Sequence, residues 1–345
     1  MSETTSADTP AQTELDSAAA PVRRPGKNAS GMLLLVTMLW GLSFPLMKNW
    51  HLASENCPGG PVVASLTMTV LRMTLALLVL AVFVPKLFVT PTRREFRIGF
   101  FLGVINSVGF IFQVTGLAWT SPALSAFVTS LASAWVPLLM FALFHVAVHR
   151  LTMAGLVIGI SGAAVLGIDT GETLVFGWGE LLTFISTWSF ALVIVLLDRL
   201  GQAVNPAHFT VAFLAGTGLP AFFITGIITL TRSESTAWIN WTGTMFQNPL
   251  ILRDLILLTV LCTVLPFHWF NVYQPQVAAS RAALIYLLEP LFALLFSIWW
   301  GHDRLNLKLL MGGSLILAGN MLVEAPGWFR KTKTADPPGR FAKKS

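Results

Sequence analysis

Of 345 residues, 54% are hydrophobic and only 11% charged, with a mean hydropathy of +0.71. That balance excludes a soluble globular domain and a disordered chain, and leaves an integral membrane protein with the lipid bilayer as solvent. The apolar residues come in many runs separated by short polar joints, which predicts an all-α fold whose backbone hydrogen bonds close within helices.

Windows of about 20 apolar residues predict ten spans. The first five cover 31–50, 62–84, 97–117, 123–146 and 151–168, and the second five cover 178–198, 207–230, 253–273, 279–300 and 306–324. Residues 1–30 read as a disordered cytoplasmic tail, and 325–345 as a basic cytoplasmic tail. Tryptophans 50, 119, 178, 299, 300 and 328 fall near predicted span ends, where amphipathic rings settle at the bilayer interface. Cys57 lies in the first loop and Cys262 in mid-span, at different depths, so no disulfide is expected.

Lysine and arginine counts set an expected orientation. With a cytoplasmic N-terminus, sixteen of the 22 fall on the cytoplasmic side and five (Lys48, Arg232, Arg253, Arg304, Lys308) on the other, leaving Arg72 within a span. Both termini are therefore expected inside, and the formal charge of +6 is a topology signal. No nucleic-acid partner is expected.

The two halves repeat. An offset of 148 superposes LLLVTMLWG (33–41) on LLTFISTWS (181–189), with Trp40 on Trp188. An offset of 153 places Pro122 on Pro275 and Pro137 on Pro290, and one of 157 places Gly155 and Gly162 on Gly312 and Gly319. Five spans is an odd number, so the second unit (178–324) must enter the membrane inverted relative to the first (31–168). This is the plan of secondary transporters that bind substrate near the midplane where the halves meet.

LWGLSFPLMK (39–48), LRMTLALLVL (71–80), WTSPALSAFVTSLASAWVPLL (119–139) and LLEPLFALLFSIWWGHDRLNLKLLMGGSLILAGN (287–320) resemble the EamA-type members of the drug/metabolite transporter superfamily. The resemblance spans about 31–324. It implies ten helices in two inverted five-helix repeats, and export or exchange of a small metabolite, amino-acid-like or drug-like, across the inner membrane by alternating access. The family often has Gly-Glu where this chain reads Gly301-His302-Asp303.

Glu289 stands about ten residues from either end of its span, roughly 15 Å from both surfaces and beyond the snorkelling reach of a carboxylate. Its repeat-equivalent is Val136, so the helix scaffold does not require the charge. The expected role is a substrate or proton site, with protons as the candidate coupling ion, and the alternative is a buried structural acceptor. Arg72 is equally deep, as an anion binder or as the ion-pair partner of Glu289. Trp40, Trp135 and Trp188 lie away from span ends as candidate aromatic walls, or as packing residues. Asn106, Gln113, His268, Asn271 and Tyr286 complete the candidate pathway, with His268 the second titrating candidate.

Gly155, Gly159 and Gly162, with Gly312, Gly313 and Gly319, form small-residue faces suited to close helix contact. Gly159-Ile160-Ser161-Gly162 also matches the GxSG of intramembrane serine proteases, but Ser161 corresponds to Ala318 in the second unit, so it reads as one small packing residue among several. On that packing reading a leucine at position 161 should force a close helix contact apart. A non-transporting scaffold has little reason to bury Arg72 and Glu289. No P-loop and no paired His/Cys spacing is present, so no enzyme activity, cofactor or metal is expected, and a homodimer is a candidate assembly.

Overall fold

The computed structural model describes residues 28–86, 91–145, 149–167, 177–201, 208–277, 282 and 285–329, and every regular element among them is helical. Most of the N-terminal tail (1–27) and of the C-terminal tail (330–345) lies outside the described residues. The elements are α1 (Ala29–Ala53), α2 (Gly60–Phe83), α3 (Arg93–Leu117), α4 (Pro122–Thr129), α5 (Ala132–Phe144), α6 (Arg150–Gly167) and α7 (Trp178–Leu200). They continue as α8 (Thr210–Thr231), α9 (Ser235–Gln247), α10 (Pro249–Thr259), α11 (Leu265–Tyr273), α12 (Glu289–Trp299) and α13 (Leu307–Phe329).

Seven helical stretches among the described residues are long and apolar enough to cross a membrane, with α4–α5 and α10–α11 each counting as one, and three shorter apolar helices lie at 150–165, 289–299 and 307–323. The sequence signals for helix ends are used locally. Thr92 accepts from the Glu95 backbone N–H while the Glu95 side chain accepts from Thr92 N–H, a capping box that starts α3. Ser121 caps α4, and Pro122 follows in the first turn, where its missing N–H costs nothing.

Three local departures from the expected spans matter for the site. The stretch expected as one helix over 279–300 breaks at the Leu287–Leu288 turn and restarts at Glu289, with Pro290 in the first turn of α12. Pro137 instead lies inside α5, beyond a turn at Ser130–Leu131, so the two prolines occupy different places relative to their breaks. Between α10 and α11, Val260–Val264 forms a π-helical turn, which inserts a residue into the helical ladder. The third departure is α9, an added helix whose Trp238 Nε1 donates to Thr67 Oγ1 (2.8 Å) and whose Trp241 packs edge-on against Trp50, ring centroids 5.9 Å apart. Trp50 is therefore buried, donating to Ala64 O at 3.0 Å, whereas Trp119, Trp178 and Trp299 are exposed, as interface anchors would be.

Packing relies on small residues where helices approach closely. α6 and α13 form a glycine seam, and a Cβ on Gly162 would stand 2.7 Å from Gly312 O, while Gly319 abuts the backbone of Gly155 and Gly159. Ser161 points away from this seam, exposed and donating to Val157 O on its own helix at 2.9 Å, and the repeat-equivalent Ala318 is exposed too. The expectation that leucine at position 161 would force helices apart is therefore corrected. The close contacts belong to the glycines, because the helix rotation places Ser161 on the outer side.

Candidate functional site

A cavity with about 770 Å³ of non-atom space lies among α1, α2, α3, the α4–α5 turn, α7, α11 and the start of α12. Of the residues singled out in the sequence, Trp40, Arg72, Asn106, Gln113, Tyr286 and Glu289 line it. The start of α12 is held against α1 at Gly41, where a Cβ would meet Phe292 Cβ at 2.7 Å and Glu289 O at 3.1 Å. That close approach packs the first turn of α12 on α1, whose Trp40, next to Gly41, lines the same cavity as Glu289.

Arg72 and Glu289 do not form an ion pair. Arg72 is 1% exposed, and its guanidinium is turned to the π-helical turn. Nε donates to Thr263 Oγ1, Nη2 donates to Cys262 O at 2.6 Å, and Nη1 lies 3.5 Å from Met47 Sδ. Its plane is also packed on Phe110, 5.0 Å from ring centroid to Cζ. Residue 266, four places after Cys262, is proline and has no N–H to close an α-helical bond on the Cys262 carbonyl, so that carbonyl is left as an acceptor for the guanidinium. Glu289, by contrast, makes no hydrogen bond or ion pair among the described residues.

The remaining candidates divide. Asn106 Nδ2 donates to Thr217 Oγ1 (3.3 Å) and Gln113 Nε2 to Thr129 Oγ1 (3.0 Å), both at the cavity edge. Tyr286 is buried with its hydroxyl unpartnered, its ring 6.0 Å from Trp40 and 6.1 Å from Phe270. Trp135 and Trp188 stack on each other at 4.0 Å, Trp135 Nε1 donates to Thr187 Oγ1 at 2.8 Å, and neither lines the cavity. His268 and Asn271 lie outside the lining as well. Asn271 donates to Thr210 Oγ1 at 3.3 Å, and His268 Nδ1 is buried without a partner. Sequence reasoning missed Phe110, Phe267 and Phe270, apolar residues whose facing depends on helix rotation, and Thr263, whose role depends on the π turn.

One end of the bundle is closed by a polar layer. Lys48 Nζ donates to the Leu117, Ala118 and Thr120 carbonyls (3.1, 3.2 and 2.8 Å), neutralising the C-terminal end of α3. Asn49 Nδ2 donates to Asp254 Oδ2 (2.6 Å), and His302 Nε2 donates to Asn49 Oδ1 (2.8 Å). Asp303 Oδ2 accepts from Ser297 Oγ (2.5 Å) and from the Ala123 N–H (3.0 Å) at the start of α4. Burial holds the His302 imidazole below its usual value, more strongly than Asp303 raises it. In the neighbouring loop, burial followed by the charge of Glu234 pushes the Cys57 thiol up to about 12. Both cysteines are free and buried. Among the described residues, no three His, Cys, Asp or Glu side chains gather as a metal-binding set.

The model of the EamA-like transporter family matches the chain twice, over residues 28–168 and 177–324. The chain belongs to the EamA-like transporter family. Two curated relatives of similar length are uncharacterized transporters. One, from Archaeoglobus fulgidus, is 24% identical over 294 residues, covering 84% of each chain. The other, YvbV of Bacillus subtilis, is 24% identical over 292 residues, covering 85% of this chain and 90% of that one. A solved crystal structure overlays 90% of this chain and 99% of its own with a TM-score of 0.55 at 15% identity, a likeness of fold. Membership makes the protein a multi-pass membrane transporter of the drug/metabolite type, acting on a small molecule. The cavity and its carboxylate, without a partner among the described residues, are thus features of an EamA-like transporter.

Proposed function

We propose that this EamA-like protein is a secondary transporter that exports a small amino-acid-like or drug-like metabolite across the inner membrane by alternating access, without catalysing a reaction. The observation that carries the reading is Glu289. It is a carboxylate with no partner among the described residues, at a helix break about 15 Å by helical rise from the end of α12, in a cavity walled by elements of both matched halves. The ten spans comprise the seven long stretches and the three shorter apolar helices, arranged as two inverted units. The double family match supports this arrangement, and so does the packing, in which α1 lies on α12 as α7 lies on α4 and α5. Both termini are cytoplasmic on the charge bias, so the polar layer around Lys48, His302 and Asp303 closes the outward side.

Two experiments test this. Single cysteines replacing the exposed residues Asn56 and Thr236 should react with an impermeant thiol reagent from outside intact cells, and one replacing Arg94 should not. The reverse pattern overturns the orientation. A resistance and efflux screen of overproducing cells identifies the exported compound, and its flux into proteoliposomes should require Glu289. If Glu289 carries the coupling proton, Glu289→Gln abolishes pH-gradient-driven flux, and unchanged coupling in a stable variant removes it from that role.

A further inference from the structure

We propose that the cavity is a binding site for an organic cation, a protonated amine carried on a flat apolar body, with Glu289 as its counter-ion. Its place in a transport cycle rests on the transporter reading above, whereas the binding chemistry does not.

Among the described residues, two charged side chains line the cavity, Arg72 and Glu289, and they are not equally available. Arg72 directs Nε and Nη2 to Thr263 and the Cys262 carbonyl, and lays its plane on Phe110. Those contacts hold the guanidinium on the scaffold and commit its Nε and Nη2 donors to neutral acceptors. Glu289 has no hydrogen bond and no ion pair among the described residues. An ionised carboxylate at this depth is costly unless a cation joins it or a proton neutralises it, so a positive ligand group is the partner that stabilises its charged form.

Much of the cavity wall is aromatic. Trp40 stands 5.8 Å from Phe267, 5.3 Å from Phe270 and 6.0 Å from Tyr286, ring centroid to ring centroid. Ring faces attract cations and cover flat apolar surface, so a cavity lined by these rings and a carboxylate fits an amine attached to a conjugated ring. Tyr286 lies three residues before Glu289 and its buried hydroxyl has no partner, which leaves a second polar atom in the wall for the amine or its neighbour. The rest of the polar lining consists of neutral amides and hydroxyls such as Asn106, Gln113 and Ser133, which offer an anion no net charge.

The test uses four probes with one ring system and different charge: tryptamine (cation), tryptophol (neutral), indole-3-propionate (anion) and tryptophan (zwitterion). Binding is measured by equilibrium dialysis against the purified full-length chain in detergent, with benzyltrimethylammonium as a second cation. Tryptamine should bind roughly tenfold or more tighter than tryptophol, and indole-3-propionate should bind weakest. Glu289→Gln should bring tryptamine and tryptophol to within about twofold of each other, while Glu289→Asp should keep the cation preference. Trp40→Leu should weaken both. The proposal is overturned if neither cation binds at millimolar concentration, if the preference survives Glu289→Gln, or if the anion or zwitterion binds tightest and depends on Arg72. Tryptamine flux into proteoliposomes separates the two readings. Glu289-dependent binding without flux refutes export of such amines through the cavity and leaves the binding site standing, and flux without charge preference does the reverse.

Discussion

Thr263→Val tests the hold on Arg72. The Thr263 hydroxyl accepts from Arg72 Nε and donates to Leu258 O at 2.7 Å, and both Thr263 and Arg72 are almost fully buried. Valine fills nearly the same space without the hydroxyl, so two hydrogen bonds are lost, the one from the buried charge worth about 1.5–3 kcal/mol and the one to Leu258 O about 0.5–1.5 kcal/mol. Thr263→Ser keeps the hydroxyl and loses a buried methyl group, at about 0.5–1.5 kcal/mol. The hydrogen-bond account therefore ranks serine above valine in stability, and a packing account ranks them the other way. Unfolding of the detergent-solubilised protein, followed through its 12 tryptophans, gives the order directly. A valine variant as stable as the serine variant would refute the view that the π turn holds Arg72. Glu289→Gln is the control. Because Glu289 and Arg72 make no ion pair, it should change stability by less than about 1 kcal/mol.

Other measurements follow from single features. Gly162→Leu should cost about 1–3 kcal/mol or abolish folded yield, because its new side chain would meet the backbone of α13, while Ser161→Leu should express and melt like the parent. Maleimide should leave Cys57 unmodified at pH 7 in folded protein and label it after denaturation, since its thiol is buried with a value of about 12. His302 is held below the ordinary imidazole value, so the unfolded chain binds its proton more readily. Stability should be flat above about pH 6.5 and fall as pH drops below it, and His302→Gln should lessen that fall in melting temperature.

The depth of Glu289 and Arg72 could be read from the sequence because depth along a span follows from residue number and helical rise. Their relationship could not. Whether two side chains at one depth meet depends on helix rotation, and here the π turn at Val260–Val264 gives Arg72 a carbonyl and a hydroxyl in place of the carboxylate. Hydropathy windows detect transfer free energy, which a π turn or the break at Leu287–Leu288 leaves unchanged. Helix rotation also explains why Trp40 lines the cavity while its repeat-equivalent Trp188 stacks on Trp135 outside it. The added helix α9 was hidden because its tryptophans alternate with Thr, Asn and Gly and so dilute the apolar signal. The glycine frames were legible as faces, but which small residue stood inside the contact was not, and Ser161 and Ala318 proved to be the outward ones.

The seam between α6 and α13 supplies no residue to the cavity lining. Backbone there meets backbone with no room for a methyl group, so nearly any larger residue at Gly155, Gly162 or Gly319 harms assembly. The chamber walls obey a looser rule, since exchanging one aromatic or hydroxyl for another alters what is recognised and leaves the seam intact. Selection can thus rewrite the cargo of such a protein on the remaining helices while these two stay fixed, which lets one architecture serve chemically unrelated compounds.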